Sequence, residues 1–74
     1  GSAAVGYAEK AVAATQGQNA KYLDTLAAAY AENGQFTEAI GTQNKAISLL
    51  VSEESKTDFR KRLSLYQANQ PVRD

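Results

Sequence analysis

The residue types behind most enzymatic chemistry are missing from this chain as a set: among its 74 residues there is no histidine and no cysteine. The commonest general base, the imidazole and thiolate metal ligands and the thiol nucleophile are therefore absent together. Carboxylates, cations and phenols remain. Glu53 and Glu54 are adjacent, and neighbouring positions of a helix or loop point apart rather than converging on one bond. Acids there suit the positive start of a helix instead. Arg60, Lys61 and Arg62, with Lys56 and Arg73 nearby, form the one basic run. Such a run could hold phosphates through counterion release, with Phe59 or Tyr66 stacking on bases. The formal net charge is zero, however, and both aromatics fall on an apolar stripe. Neither nucleic acid nor an anionic membrane is the expected partner. Tyr30 is expected in the core, with Tyr7 and Tyr22 sealing the first contact between helices. No nucleophile and base pair up, so the expectation is a protein that is not an enzyme and uses no metal or cofactor.

The elements that carry these residues read as helices. A chain of this length is one domain or a piece of one and buries only about 60% of its unfolded surface. Its apolar content leans on alanine, which favours closely packed helices, and strand-like alternation is absent. The class is all-α, with about four helices. Ala4, Val5, Ala8, Ala11 and Val12 recur at three- and four-residue spacing, so a first helix is expected from Ala3 to Thr15. Gly17 supplies the left-handed residue that ends it, and Asn19 the cap of a second helix, Ala20 to Glu32. Gly34 stops that one. A third helix is expected from near Thr37 to about Val51, with Ala39, Ile40, Gln43, Ala46, Ile47 and Leu50 inward. Ser52 or Ser55 caps a fourth, running to about Asn69 with a stripe of Phe59, Leu63 and Tyr66 and with Leu65 to one side. Pro71 ends it.

Within this frame Leu23, Leu26-Ala27 and Tyr30 precede Gly34, and Phe36, Ala39-Ile40 and Ala46-Ile47 follow it. The order resembles one full tetratricopeptide repeat, a unit of about 34 residues that stacks into superhelical binding scaffolds. Ala39 and Ala46 occupy the small positions where paired helices approach to about 8–10 Å. Gln43 stands where the family often has an aromatic, and Val51 where it often has proline. Ala4-Val5 and Lys10-Ala11-Val12 mirror Ala39-Ile40 and Lys45-Ala46-Ile47 at a common offset of 35 residues. The ending Leu65-Tyr66-x-x-Asn69-x-Pro71-x-Arg73 is similar to the C-termini of bacterial repeat proteins.

The resemblance implies antiparallel helix-turn-helix repeats. Residues 1–2 read as a tag remnant, 3–16 as the second helix of a truncated preceding repeat, 20–53 as a complete unit, 54–70 as a C-terminal capping helix and 71–74 as a loose tail. It also implies a protein- or peptide-binding scaffold with a concave face made by Lys21, Asp24, Thr25, Ala28, Ala31 and Glu32. Of these only Lys21 fits the cationic clamp of relatives that bind chaperone C-termini, and Asp24 would repel an acidic peptide. The alternative is a structural cap or oligomerisation element of a longer array. With Ala4, Val5, Ala8 and Val12 expected bare, the chain should self-associate or exchange helices in a homo-oligomer. A larger protein, cytoplasmic by default, is the expected setting.

Overall fold

Helix-ending geometry organises this chain. The computed structural model describes residues 2–72, which form α1 (Ser2–Ala14), α2 (Ala20–Glu32), α3 (Phe36–Ser48) and α4 (Glu53–Gln67), with no strand among the described residues. Consecutive helices, joined by short turns, pack on one another as antiparallel neighbours, α1 on α2, α2 on α3 and α3 on α4. The fold is all-α, as its composition and periodicity imply. Its radius of gyration, 11.2 Å, is close to the roughly 11 Å expected of a folded domain of this length.

Three helices end in the same way, with the chain reversing through a left-handed residue. After α2, Gly34 takes φ +78°, the Gly34 N–H donates to the Ala31 carbonyl at 3.0 Å and the Gln35 N–H to the Tyr30 carbonyl at 2.8 Å. After α4, Asn69 takes φ +58°, and the Asn69 and Gln70 N–H groups reach back to Tyr66 and Leu65 at 2.9 and 2.8 Å. After α1 the left-handed residue is Gln16, at φ 56°, followed by Gly17 at φ 70°, so the stop begins one residue before the expected glycine. The third helix is different. It ends at Ser48, three residues short of the expected Val51, through the tightened bonds Leu49 N–H to Ala46 and Leu50 N–H to Ile47. No positive φ follows it.

The expected caps form. The Asn19 side chain accepts from the Tyr22 N–H at 3.1 Å, and Ser52 accepts from Ser55 N–H at 3.4 Å. Ser2 lies within α1, while Gly1, Arg73 and Asp74 lie outside the described residues.

Two small cores result. Val5 and Ala8 of α1 meet Leu26 and Ala29 of α2, with Val12 and Tyr30 beside them. Ala27 and Ala31 of α2, Ala39 of α3 and Tyr66 of α4 form the second, flanked by Tyr30, Phe36, Ile40, Leu65 and Val72. Ala39 and Ala46 are 0% exposed, as close helix contacts demand, and Leu23 is buried while Ile47 is half-buried. Val72 is therefore packed rather than loose, because the reversal at Asn69 returns the chain toward the second core. The bare α1 face is also smaller than expected. Val5 and Ala8 are buried against α2 and only Ala4 of the four is exposed. Tyr7 is 74% and Tyr22 41% exposed, so neither seals the α1 contact.

Candidate functional site

The densest polar arrangement lies where α2, α3 and α4 meet. Asp24 sits one turn into α2 on the side facing α3, and its Oδ1 accepts from Gln43 Nε2 of α3 at 2.9 Å and from Arg62 Nε of α4 at 2.7 Å. Gln43 Nε2 donates again to the Phe59 carbonyl of α4 at 3.0 Å. The Arg62 guanidinium carbon lies 4.9 Å from the centre of the Phe59 ring, within the range of a cation–π contact. One carboxylate, one amide and one guanidinium thus tie three helices together. Asp24 and Arg62 are both half-buried, which protects their ion pair from the screening that weakens exposed pairs.

Beside this cluster Tyr66 is fully buried over Ala27, Ala31 and Ala39. Burial foremost, with the Asp24 charge adding to it and Arg62 opposing, pushes its phenol up to about 12. The Tyr66 hydroxyl and Gln43 Oε1 have no hydrogen-bond partner among the described residues. The first core has its own polar tie, a Tyr30 hydroxyl donating to Glu9 Oε2 at 2.9 Å. That hydrogen bond, followed by burial and the Glu9 and Glu38 charges, raises the Tyr30 phenol above its ordinary value.

The six residues of the expected concave face do not form one open surface. Ala31 is 2% exposed, covered in the second core. Asp24 is held by Gln43 and Arg62. Lys21, Thr25 and Glu32 are exposed and Ala28 is half-buried, and steps of four, three and four along α2 put these four in a single line. What stays open is therefore a strip one helix wide.

The basic run also separates. Arg60 and Lys56 face Glu53 at 3.9 and 3.4 Å, Arg62 turns inward, and Lys61 is exposed. Glu53 is thereby committed to cations rather than paired with Glu54. Among the described residues no three carboxylates converge as metal ligands. Along α1 a shallow hollow of about 270 Å³ is lined by Ala3, Gly6, Tyr7 and Lys10.

Sequence reasoning placed Gln43 inward but did not pair it with Asp24 and Arg62. The available signal was Arg62 itself, three residues after Phe59 and four before Tyr66, which puts it on the inner stripe of α4. No protein-family model matches the chain, and no curated protein or solved structure matches it either.

Proposed function

We propose that this chain is a non-catalytic protein-interaction element on the tetratricopeptide plan, in which α4 caps the α2/α3 face and α1 offers its outer face to another helix. The observation that carries the capping role is the Asp24 cluster: α4 supplies Arg62, the Phe59 carbonyl and the fully buried Tyr66 to a face that α2 and α3 otherwise leave open. The repeat plan is supported by Gly34 at φ +78° and by the 0% exposure of Ala39 and Ala46. The α1 role rests on the 35-residue offset. Ala39 is fully covered by Ala27 and Ala31 of α2 and Tyr66 of α4, while its counterpart Ala4 is exposed, which leaves that side of α1 with room for further helices.

Undocking α4 tests the cap. Arg62→Glu combined with Tyr66→Ala removes the ion pair and the buried ring, and the expected result is association by sedimentation at concentrations where the parent is monomeric, as the bared Ala27, Ala31 and Ala39 face seeks cover. A variant that stays monomeric with the parent's helicity would refute the capping role.

A second reading, peptide binding, is favoured by the exposure of Lys21 and Thr25 along one line of α2. A peptide that shifts the backbone NMR signals of Lys21 and Thr25, and binds about tenfold more weakly to Lys21→Glu, is the expected sign. A peptide library that moves no α2 signal would refute it.

A further inference from the structure

Three of the four helices end in a left-handed reversal, and α3 does not. Residues 49–52, which join α3 to α4, contain no glycine and no positive φ, and Leu49 and Ser52 sit in ordinary helical and extended backbone, at φ −88°, ψ −11° and φ −76°, ψ 127°. Nothing in this connection requires the chain to turn back, since every residue in it can continue as helix or extended chain without strain. Its composition is the reverse of a normal surface turn: Leu49, Leu50 and Val51 in sequence, with Val51 93% exposed where turns usually carry Gly, Asn, Asp or Pro.

The helix beyond this connection docks on one face, with Leu65 packed beside the second core and Phe59 and Leu63 half-buried. Tyr66 is the one residue of α4 in the buried class, and the polar ties are those of Arg62 and the Phe59 carbonyl. All of these contacts run to α2 and α3, and a second copy presents an α4 with the same contacts.

We infer that α4 exchanges between two copies of this chain. In the exchanged dimer residues 49–52 straighten, the α4 of each protomer docks on α2 and α3 of its partner through the same Arg62 to Asp24 pair and the same buried Tyr66, and the two hinges run past each other with Val51 against Val51. Every contact between α4 and the α2/α3 face is kept, and only the bonds and partial burial of residues 49–52 themselves change. The hinge adds new apolar burial, so the exchange is favoured by concentration, as helix exchange through short hinges generally is. This inference rests on the reading of α4 as a cap, and it names the partner of the α2/α3 face as another copy of the same helix.

The test is a dimer formed at high protein concentration from equal parts of isotope-labelled and unlabelled chain, with isotope-filtered NMR. The expected result is intermolecular contact between the Tyr66 ring and the methyls of Ala27 and Ala39. Two other results overturn the exchange while leaving the cap intact: a monomer at every concentration, or a dimer whose Tyr66 contacts are all within one chain. Absence of any Tyr66 contact to Ala27 or Ala39 overturns both readings. Two variants read the same point without depending on how each folds alone. Asp24→Arg places two cations at the junction and Arg62→Asp places two carboxylates, so each repels itself. Mixed, they pair opposite charges at both junctions of an exchanged heterodimer, and the mixture is expected to form that heterodimer in preference to either variant's own dimer. Val51→Asp, at an exposed position, is expected to leave the monomer's helicity unchanged and weaken the dimer by about tenfold or more by setting two carboxylates side by side. An unaltered dimer in Val51→Asp overturns the hinge assignment.

Discussion

Replacing Ala39 by leucine measures how closely α2, α3 and α4 meet. Ala39 is 0% exposed and clustered with Ala27, Ala31 and Tyr66, so three added carbons have no free space to enter. With room they would stabilise by about 0.8 kcal/mol each; without it the helices move apart or Tyr66 leaves its rotamer, at about 1–3 kcal/mol. For a domain of this size 1 kcal/mol shifts the melting temperature by roughly 4–8 °C, so Ala39→Leu should lower it by about 5–20 °C. The control is Ala13→Leu, the same chemical change at an exposed position of α1, expected to alter stability by no more than about 0.5 kcal/mol. Both are followed by far-UV circular dichroism on heating and in urea. If α4 alone gives way in Ala39→Leu, the urea slope falls along with the midpoint, since less surface remains to be exposed. Coincident melts for Ala39→Leu and the parent would refute the placement of Ala39 at the closest helix contact.

The junction and the turns give further outcomes. Asp24→Ala leaves Arg62 and the Gln43 amide without their shared acceptor and should cost about 1–3 kcal/mol by urea titration. In a double-mutant cycle with Arg62→Ala the two losses should be less than additive. The Tyr66 phenol is raised to about 12 from an unfolded value near 10, so the neutral form is the one the fold favours. Its contribution is whole below pH 10 and is lost as pH rises toward 12. Ultraviolet titration should show phenol ionisation delayed at Tyr30 and Tyr66, and Tyr66→Phe should remove the component near pH 12 and flatten the alkaline loss of stability over that interval. Gly34→Ala forces a Cβ onto φ +78° and should cost about 1 kcal/mol or more, read from the thermal midpoint. Asn19→Ala removes the cap bond to Tyr22 and should cost about 1 kcal/mol, again as a lowered melting temperature.

Local signals were legible in this sequence and tertiary polar pairing was not. Asn19 and Gly34 act within a few residues of their own position, so their types alone placed the ends of α2, while for α4 residue type left Ser52 and Ser55 as candidate caps, of which Ser52 is the one used. Ala39 and Ala46 were readable because small residues at helical spacing have one packing use. Asp24, Gln43 and Arg62 are separated by 19 residues in each interval, and their meeting depends on how three helices pack, which no local pattern encodes. Arg62 was hidden further by its neighbours, since a run of three cations reads as a solvated surface until the helix phase separates them. Tyr7 shows the converse error: an aromatic on a helix suggests a seal, yet its phase on α1 turns it away from α2. The α3 end was overrun because Leu49, Leu50 and Val51 continue an apolar pattern after the helical hydrogen bonds have tightened and stopped.

Tyr30 stands against both cores, beside Leu26 and Ala29 on one side and beside Ala31 and Ala39 on the other, and its hydroxyl reaches Glu9 on α1. The core that secures α1 consists otherwise of Val5, Ala8 and the partly buried Val12 of α1 with Leu26 and Ala29 of α2, a small apolar surface to resist local opening alone. This one side chain therefore decides whether the molecule melts as a unit or in sequence. With Tyr30 in place, loss of α1 disturbs the second core and unfolding is shared. With Tyr30→Ala the two halves separate energetically, and the amide hydrogens of α1 would exchange with solvent far sooner than those of α3, turning one cooperative transition into two.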